Sequence, residues 1–101
     1  MPSLAALRSA RARAWWKCQQ CHASGYLDLD RVIAAKGPDY DLTDRTAACP
    51  AEGCTYWVGF YARQGMRNTP LRTDAGMLRE MDRRTAWLTA RWKAEQQACR
   101  N

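Results

Sequence analysis

Five cysteines carry the chemistry most visible in this chain of 101 residues, and four of them form two short-spaced pairs, Cys18-Gln-Gln-Cys21 and Cys49-Pro-Ala-Glu-Gly-Cys54. A tight turn between paired cysteines lets both thiolates, with the amide N–H groups around them, converge on one ion. Two such turns close the tetrahedron that Zn2+ takes in structural sites. Pro50 and Gly53 suit the second turn, since one fixes φ and the other permits φ > 0. In a reducing compartment such pairs point to metal rather than to disulfides. Cys18, Cys21, Cys49 and Cys54 are therefore the expected ligands of one structural Zn2+. His22 is expected in the turn rather than among the ligands, and Cys99, far along a helical segment, as an inert thiol. Cys18-x-x-Cys21-His22 also matches the attachment motif of a c-type haem, but that reading needs export and leaves Cys49 and Cys54 without a role. A thioredoxin-like redox pair would need a βαβ context, which the sequence lacks.

These residues give the chain a resemblance to the zinc-ribbon superfamily, in which two cysteine knuckles at hairpin tips clasp zinc. The resemblance covers roughly residues 15–63 and includes small bacterial or phage four-cysteine proteins of unassigned role. It implies a ribbon fold and a structural zinc, and it implies function far less, because ribbons serve transcription, translation, nucleic-acid enzymes and protein binding alike. Two departures stand out: four residues separate the second pair where two are usual, and His22 occupies a position often held by glycine.

Around the knuckles the chain has little aliphatic material. Seventeen Ala dominate the 47% hydrophobic fraction, against eight Leu, two Val, one Ile and one Phe. Length excludes a large enzyme core, and no apolar run approaches the ~18 residues of a membrane span. One domain, 1–101, is expected: a basic helix at 1–17, a zinc-ribbon module at 18–73 and a C-terminal helix at 74–101. The fold class is a small α+β zinc-bound domain.

Ser3 is a candidate cap for the first helix, with Leu4, Leu7, Arg11 and Trp15 on one side. Gly25-Tyr26-Leu27 suggests a short strand. Asp28 or Asp30 caps an inserted helix that ends at Lys36 before Gly37 and Pro38. Residues 55–62, TYWVGFYA, form the best strand, with Gly59 at a bulge. Alternation would set Tyr56, Val58 and Phe60 against Trp57, Gly59 and Tyr61, with either set as the core. A basic turn follows at 64–70. A long helix begins at Asp74, its expected N-cap, with Leu78, Met81, Thr85, Leu88, Trp92 and Cys99 as a stripe that covers the ribbon.

Charge suggests the partner. The net +6 is uneven: residues 1–27 contribute +4 and residues 53–73 contribute +3, both without an acid, while residues 28–52 contribute −3 and residues 74–101 contribute +2. Arg8, Arg11, Arg13, Lys17, Arg63, Arg67 and Arg72 are the expected nucleic-acid contacts, with Trp16, Tyr56 or Tyr61 as stacking surfaces. An enzyme is not expected. Four thiolates saturate zinc, a single His allows no Ser/His/Asp set, no phosphate loop is present, and Asp39, Asp41 and Asp44 read as a polar loop. The opening is Arg-rich and acid-free, like a transit peptide, but it runs directly into the first cysteine pair. With no apolar h-region, a cytoplasmic location is expected. The reading is a non-catalytic, nucleic-acid-associated zinc ribbon. The alternative is an adaptor or small regulator of a larger protein machine, acting through its Trp/Met-rich helices or as a homo-oligomer through residues 74–99.

Overall fold

The computed structural model describes residues 3–100. Met1, Pro2 and Asn101, which the expected helix at 1–17 and the expected domain 1–101 include, lie outside the described residues. Eight elements follow in order: α1 (Leu4–Ser9), β1 (Arg13–Cys18), β2 (Ser24–Tyr26), α2 (Leu29–Lys36), β3 (Ala47–Ala48), β4 (Trp57–Gln64), β5 (Arg67–Pro70) and α3 (Asp74–Arg100). The five strands make one antiparallel sheet in the order β2-β1-β4-β3, with β5 also paired to β4. The chain is thus a small α+β protein with a long C-terminal helix.

The expected basic helix at 1–17 is corrected. Ser3 caps α1 as anticipated, accepting from the Ala6 amide, but the helix ends at Ser9 and Arg11 adopts a left-handed φ of 53°. Residues 13–18 then pair along β4 from Arg13↔Arg63 to Cys18↔Val58. Alanine-rich helix propensity amounts to tenths of a kcal/mol per residue, and a central place in a sheet overrides it. Gly59 pairs in register with Lys17, so the expected bulge is absent. The basic turn at 64–70 is a hairpin, with Arg67–Pro70 returning along β4.

Alternation along β1 puts Ala14, Trp16 and Cys18 on one face and Arg13, Trp15 and Lys17 on the other. The first face carries the core. At the Ala14 end, Leu4, Leu7, Ala12, Leu42 and Leu71 are buried together, with Leu29, Val32, Ile33 and Phe60 packed against them. At the Cys18 end, the buried set is Cys18, Cys49, Tyr56, Trp57 and Val58. Both alternate sets of the 55–62 strand are therefore largely buried, Tyr56 and Val58 from one and Trp57 and Tyr61 from the other. α2 is capped by Asp28 and ended at Gly37 as the sequence suggests.

α3 packs by the face opposite to expectation. Gly76, Glu80, Arg83 and Trp87 meet the body: Glu80 pairs with Arg72, Arg83 lies 4.1 Å over the Trp57 ring, and Trp87 sits edge-on to Tyr56 at 5.0 Å. The apolar stripe expected to cover the ribbon is instead exposed at Leu78, Met81, Leu88 and Trp92. The N-cap is Thr73 rather than Asp74. Its hydroxyl accepts from the Gly76 amide at 3.0 Å, and its own N–H and O–H donate to Asp44 at 2.7 Å. A Cβ on Gly76 would overlap the Asp44 carboxylate, so this glycine allows a close approach that a side chain would block.

Candidate functional site

The cysteine centre is assembled by the ends of three strands. β1 delivers Cys18 and the turn after it carries Cys21. The Cys18 amide donates to Ala23 at 2.9 Å and the His22 amide donates to Cys18 at 3.0 Å, which closes that turn. His22 bends it with φ 64°, filling the role a glycine commonly takes. β3 leads into Cys49 and β4 leads away from Cys54. The second turn is held by Cys49 N–H to Tyr56 (3.1 Å) and Cys54 N–H to Ala51 (3.2 Å), and Gly53 supplies φ 79°.

The four sulfur atoms all lie within 4.8 Å of one another. Cys18 Sγ is 3.8 Å from Cys54 Sγ, and Cys21 Sγ is 3.5 Å from Cys49 Sγ. A tetrahedral ion with metal–sulfur bonds of ~2.3 Å requires sulfur–sulfur edges of ~3.8 Å. A disulfide requires ~2.05 Å, and all five cysteines are free thiols. Thiols alone are soft donors, suited to zinc and poorly suited to magnesium or calcium. The residues present therefore fit a tetrahedral thiolate-bound ion, consistent with zinc. The Ala23 amide pointing at Cys21 lowers that thiol to about 7, while burial pushes Cys49 up to about 12. Cys21 is therefore the more readily deprotonated of the two, and Cys49 would lose its proton to solvent only as an ion binds. His22 is outside the cluster, and Cys99 is exposed on α3.

The sequence-nominated basic residues divide. Arg13 and Arg63 are cross-strand partners, and with Arg11 they line a cleft of about 360 Å3 around Tyr26. Arg13 lies 5.4 Å over the Tyr26 ring, and Arg63 Nη1 donates to its hydroxyl at 3.4 Å. Lys17 is on the same face, two residues beyond Trp15. Arg67 is opposite Gln64 in the ladder while Asn68 is opposite Arg63, so alternation points Arg67 to the other face. Arg8 pairs with Asp30 on α2 at 2.9 Å. Arg72 is half-buried against Glu80 and sits over Tyr61. Of the nominated stacking rings, Tyr56 and Tyr61 are buried. Sequence reasoning missed the two that frame the basic face: Tyr26, 56% exposed, and Trp15, stacked on Tyr61 at 4.7 Å. The signal was present in the alternation Arg13-x-Trp15-x-Lys17, which reads as a strand face once the helix is set aside. Two of the acidic trio have structural duties: Asp41 accepts from the Thr43 amide at 2.8 Å and Asp44 secures the start of α3.

No helix among the described residues is long and apolar enough to cross a membrane. No family model, no curated protein and no solved structure matches the chain.

Proposed function

We propose that this chain is a non-catalytic, zinc-ribbon-like protein that binds single-stranded nucleic acid on the face bearing Arg11, Arg13, Arg63 and Tyr26. The zinc is structural, since four thiolates fill its coordination and leave no position for water or substrate. It would be held by Cys18, Cys21, Cys49 and Cys54, and it would supply rigidity to the end of β1. The carrying observation is that arginines fifty residues apart in sequence meet around one exposed ring, and none of the three is in an ion pair among the described residues. Guanidinium groups would take phosphate, and Tyr26 with Trp15 would offer faces to bases, worth ~1–3 kcal/mol per stacked base.

Fluorescence anisotropy of the zinc-loaded protein with labelled single- and double-stranded DNA and RNA tests this reading. The expected result is micromolar or tighter binding to single strands, with log affinity falling linearly in log salt. Three phosphate contacts correspond to a slope of about −2. Absence of binding at low salt overturns the reading.

The stripe of Leu78, Met81, Leu88 and Trp92 on α3 supports a second reading, an adaptor or regulator that joins a protein partner or a second copy there. Contiguous exposed apolar surface marks such sites. Sedimentation across a concentration series tests the second copy, since a homo-oligomer gains mass with concentration and a monomer does not.

A further inference from the structure

The basic face is two adjoining clefts of different chemistry. One, of about 360 Å3, is lined by Arg11, Arg13, Arg63 and Gly65 with Tyr26. The other, of about 330 Å3, is lined by Trp15, Ser24, Met66 and Asn68, and it shares Tyr26 and Arg63 with the first. The cations are therefore concentrated on one side of Tyr26, and the other side is aromatic and neutral apart from the shared arginine. No carboxylate lines either cleft.

We infer that the face recognises the phosphorylated end of a single strand, with the terminal phosphate among the three arginines and the first base in the Trp15–Tyr26 cleft. This inference rests on the nucleic-acid reading above and adds the substrate class. An internal phosphodiester carries one charge. A terminal phosphomonoester carries about −1.5 to −2 near neutral pH and presents three acceptor oxygens. The forks of Arg11 and Arg13, with the N–H groups of Arg63 not already given to the Gly65 carbonyl and the Tyr26 hydroxyl, match that dianion better than they match a passing diester, because charge-assisted bonds add at each oxygen. Cation placement also gives a direction. Along the same face of β1, Lys17 stands about 13 Å from Arg13, four residues at ~3.3 Å each. It would meet a phosphate further along the strand, while the arginine cluster holds the end. Trp15 is fixed for stacking from two sides, by the Tyr61 ring behind it and by Nε1–H donation to Asn68 Oδ1 at 2.8 Å.

The test compares labelled ten-nucleotide strands of equal sequence carrying a 5′-phosphate, a 3′-phosphate or hydroxyl ends, each titrated with full-length zinc-loaded protein. One phosphorylated end is expected to bind at least about tenfold tighter than the hydroxyl-ended strand, as expected for an added charge-assisted cluster. Arg13→Gln and, separately, Arg11→Gln should remove that preference while zinc content and melting stay unchanged. Tyr26→Ala should weaken all three strands. Equal, salt-dependent affinity for all three ends overturns the terminal-phosphate assignment and leaves the nucleic-acid reading intact. Binding of no strand overturns both. A phosphotyrosine peptide that competes as well as the phosphorylated strand overturns the assignment of the neutral cleft to a base.

Discussion

The two ends of β1 are held by different physics. At the Ala14 end the buried side chains are Leu4, Leu7, Leu42 and Leu71 with small alanines, and burial of each leucine contributes ~1.5–3 kcal/mol by removing apolar surface from water. Truncating one of these side chains removes only that share of the burial. At the Cys18 end the buried set is thiols and aromatic rings, with little aliphatic volume to hold it. Four neighbouring thiols cannot all ionise without an ion to neutralise them, so an ion bound there would hold all four chain segments at once. A chain with twelve Leu, Val, Ile and Phe residues in total places most of them at one end and a four-cysteine cluster able to hold an ion at the other.

The largest effect that separates the ends is removal of the metal. Binding energy at such a centre is folding energy, so a chelator, or Cys49→Ser, should abolish cooperative unfolding of the Cys18 end. Trp57 is buried in that cluster with Trp16 and Trp87 packed against it, so the protein's tryptophan fluorescence reports the change. Retained native fluorescence with no bound metal would refute coordination as the source of order there. Acid should act in the same direction, since each ligand must stay deprotonated to hold the ion, and metal release on lowering pH is read by a colorimetric zinc indicator.

Next in size is Leu4→Ala at the opposite end. Leu4 is fully buried, and a leucine truncated at such a site costs about 2–5 kcal/mol. The contrast is sharp if melting falls by that amount while zinc stoichiometry stays at one per chain. If the ion is lost along with it, the two ends are one cooperative unit, and the comparison should be redrawn.

The cysteine end was the more legible of the two because coordination depends on local spacing. Two residues between Cys18 and Cys21, and Pro50 and Gly53 between the other pair, mark each turn locally, and the pairing of β1 with β4 then brings the two turns together. α2 was legible for the same reason, with Asp28 and Gly37 marking its limits. β1 was not, because Ala, Arg and Leu at positions 4–14 favour helix locally, and only pairing with β4, some forty residues away, makes 13–18 a strand. Nor does glycine or proline announce the break at Arg11. The α3 stripe misled in another way. Apolar periodicity identified a real stripe, but the docking face is chosen by Arg83 over Trp57, by Glu80 with Arg72, and by the Asp44–Thr73 cap. Hydropathy does not register any of these.

The Asp44–Thr73 cap gives a smaller, pH-dependent test of how α3 is joined to the body. Thr73→Ala should cost about 0.5–2 kcal/mol, the range for loss of a capping hydroxyl. Hydrogen bonds from the Thr73 hydroxyl and amide hold the Asp44 carboxyl below its ordinary value of 3.8. A folded-state pKa below the unfolded one means the stabilisation is present above the unfolded value and is lost as pH falls through the folded one. Wild type should therefore lose this stability between about pH 4 and lower pH, and Asp44→Asn should flatten that part of the curve. An unchanged acid profile in the variant would remove Asp44 from the account of how α3 is anchored.

Cys99→Ser should do least of all, and its value is that it tests whether a thiol matters by type or by place. Cys99 has the same side chain as the four clustered cysteines, but it sits exposed on α3 while the cluster forms at the ends of β1, β3 and β4. If place decides, zinc stoichiometry, melting and tryptophan fluorescence should match wild type within error. If zinc is lost, the fifth thiol reaches the centre, which would require α3 to leave the face on which Trp87 meets Tyr56 and Arg83 meets Trp57. Those contacts would then have to break together, so the same variant, read by tryptophan fluorescence, checks the seating of α3 as well as the ligand set.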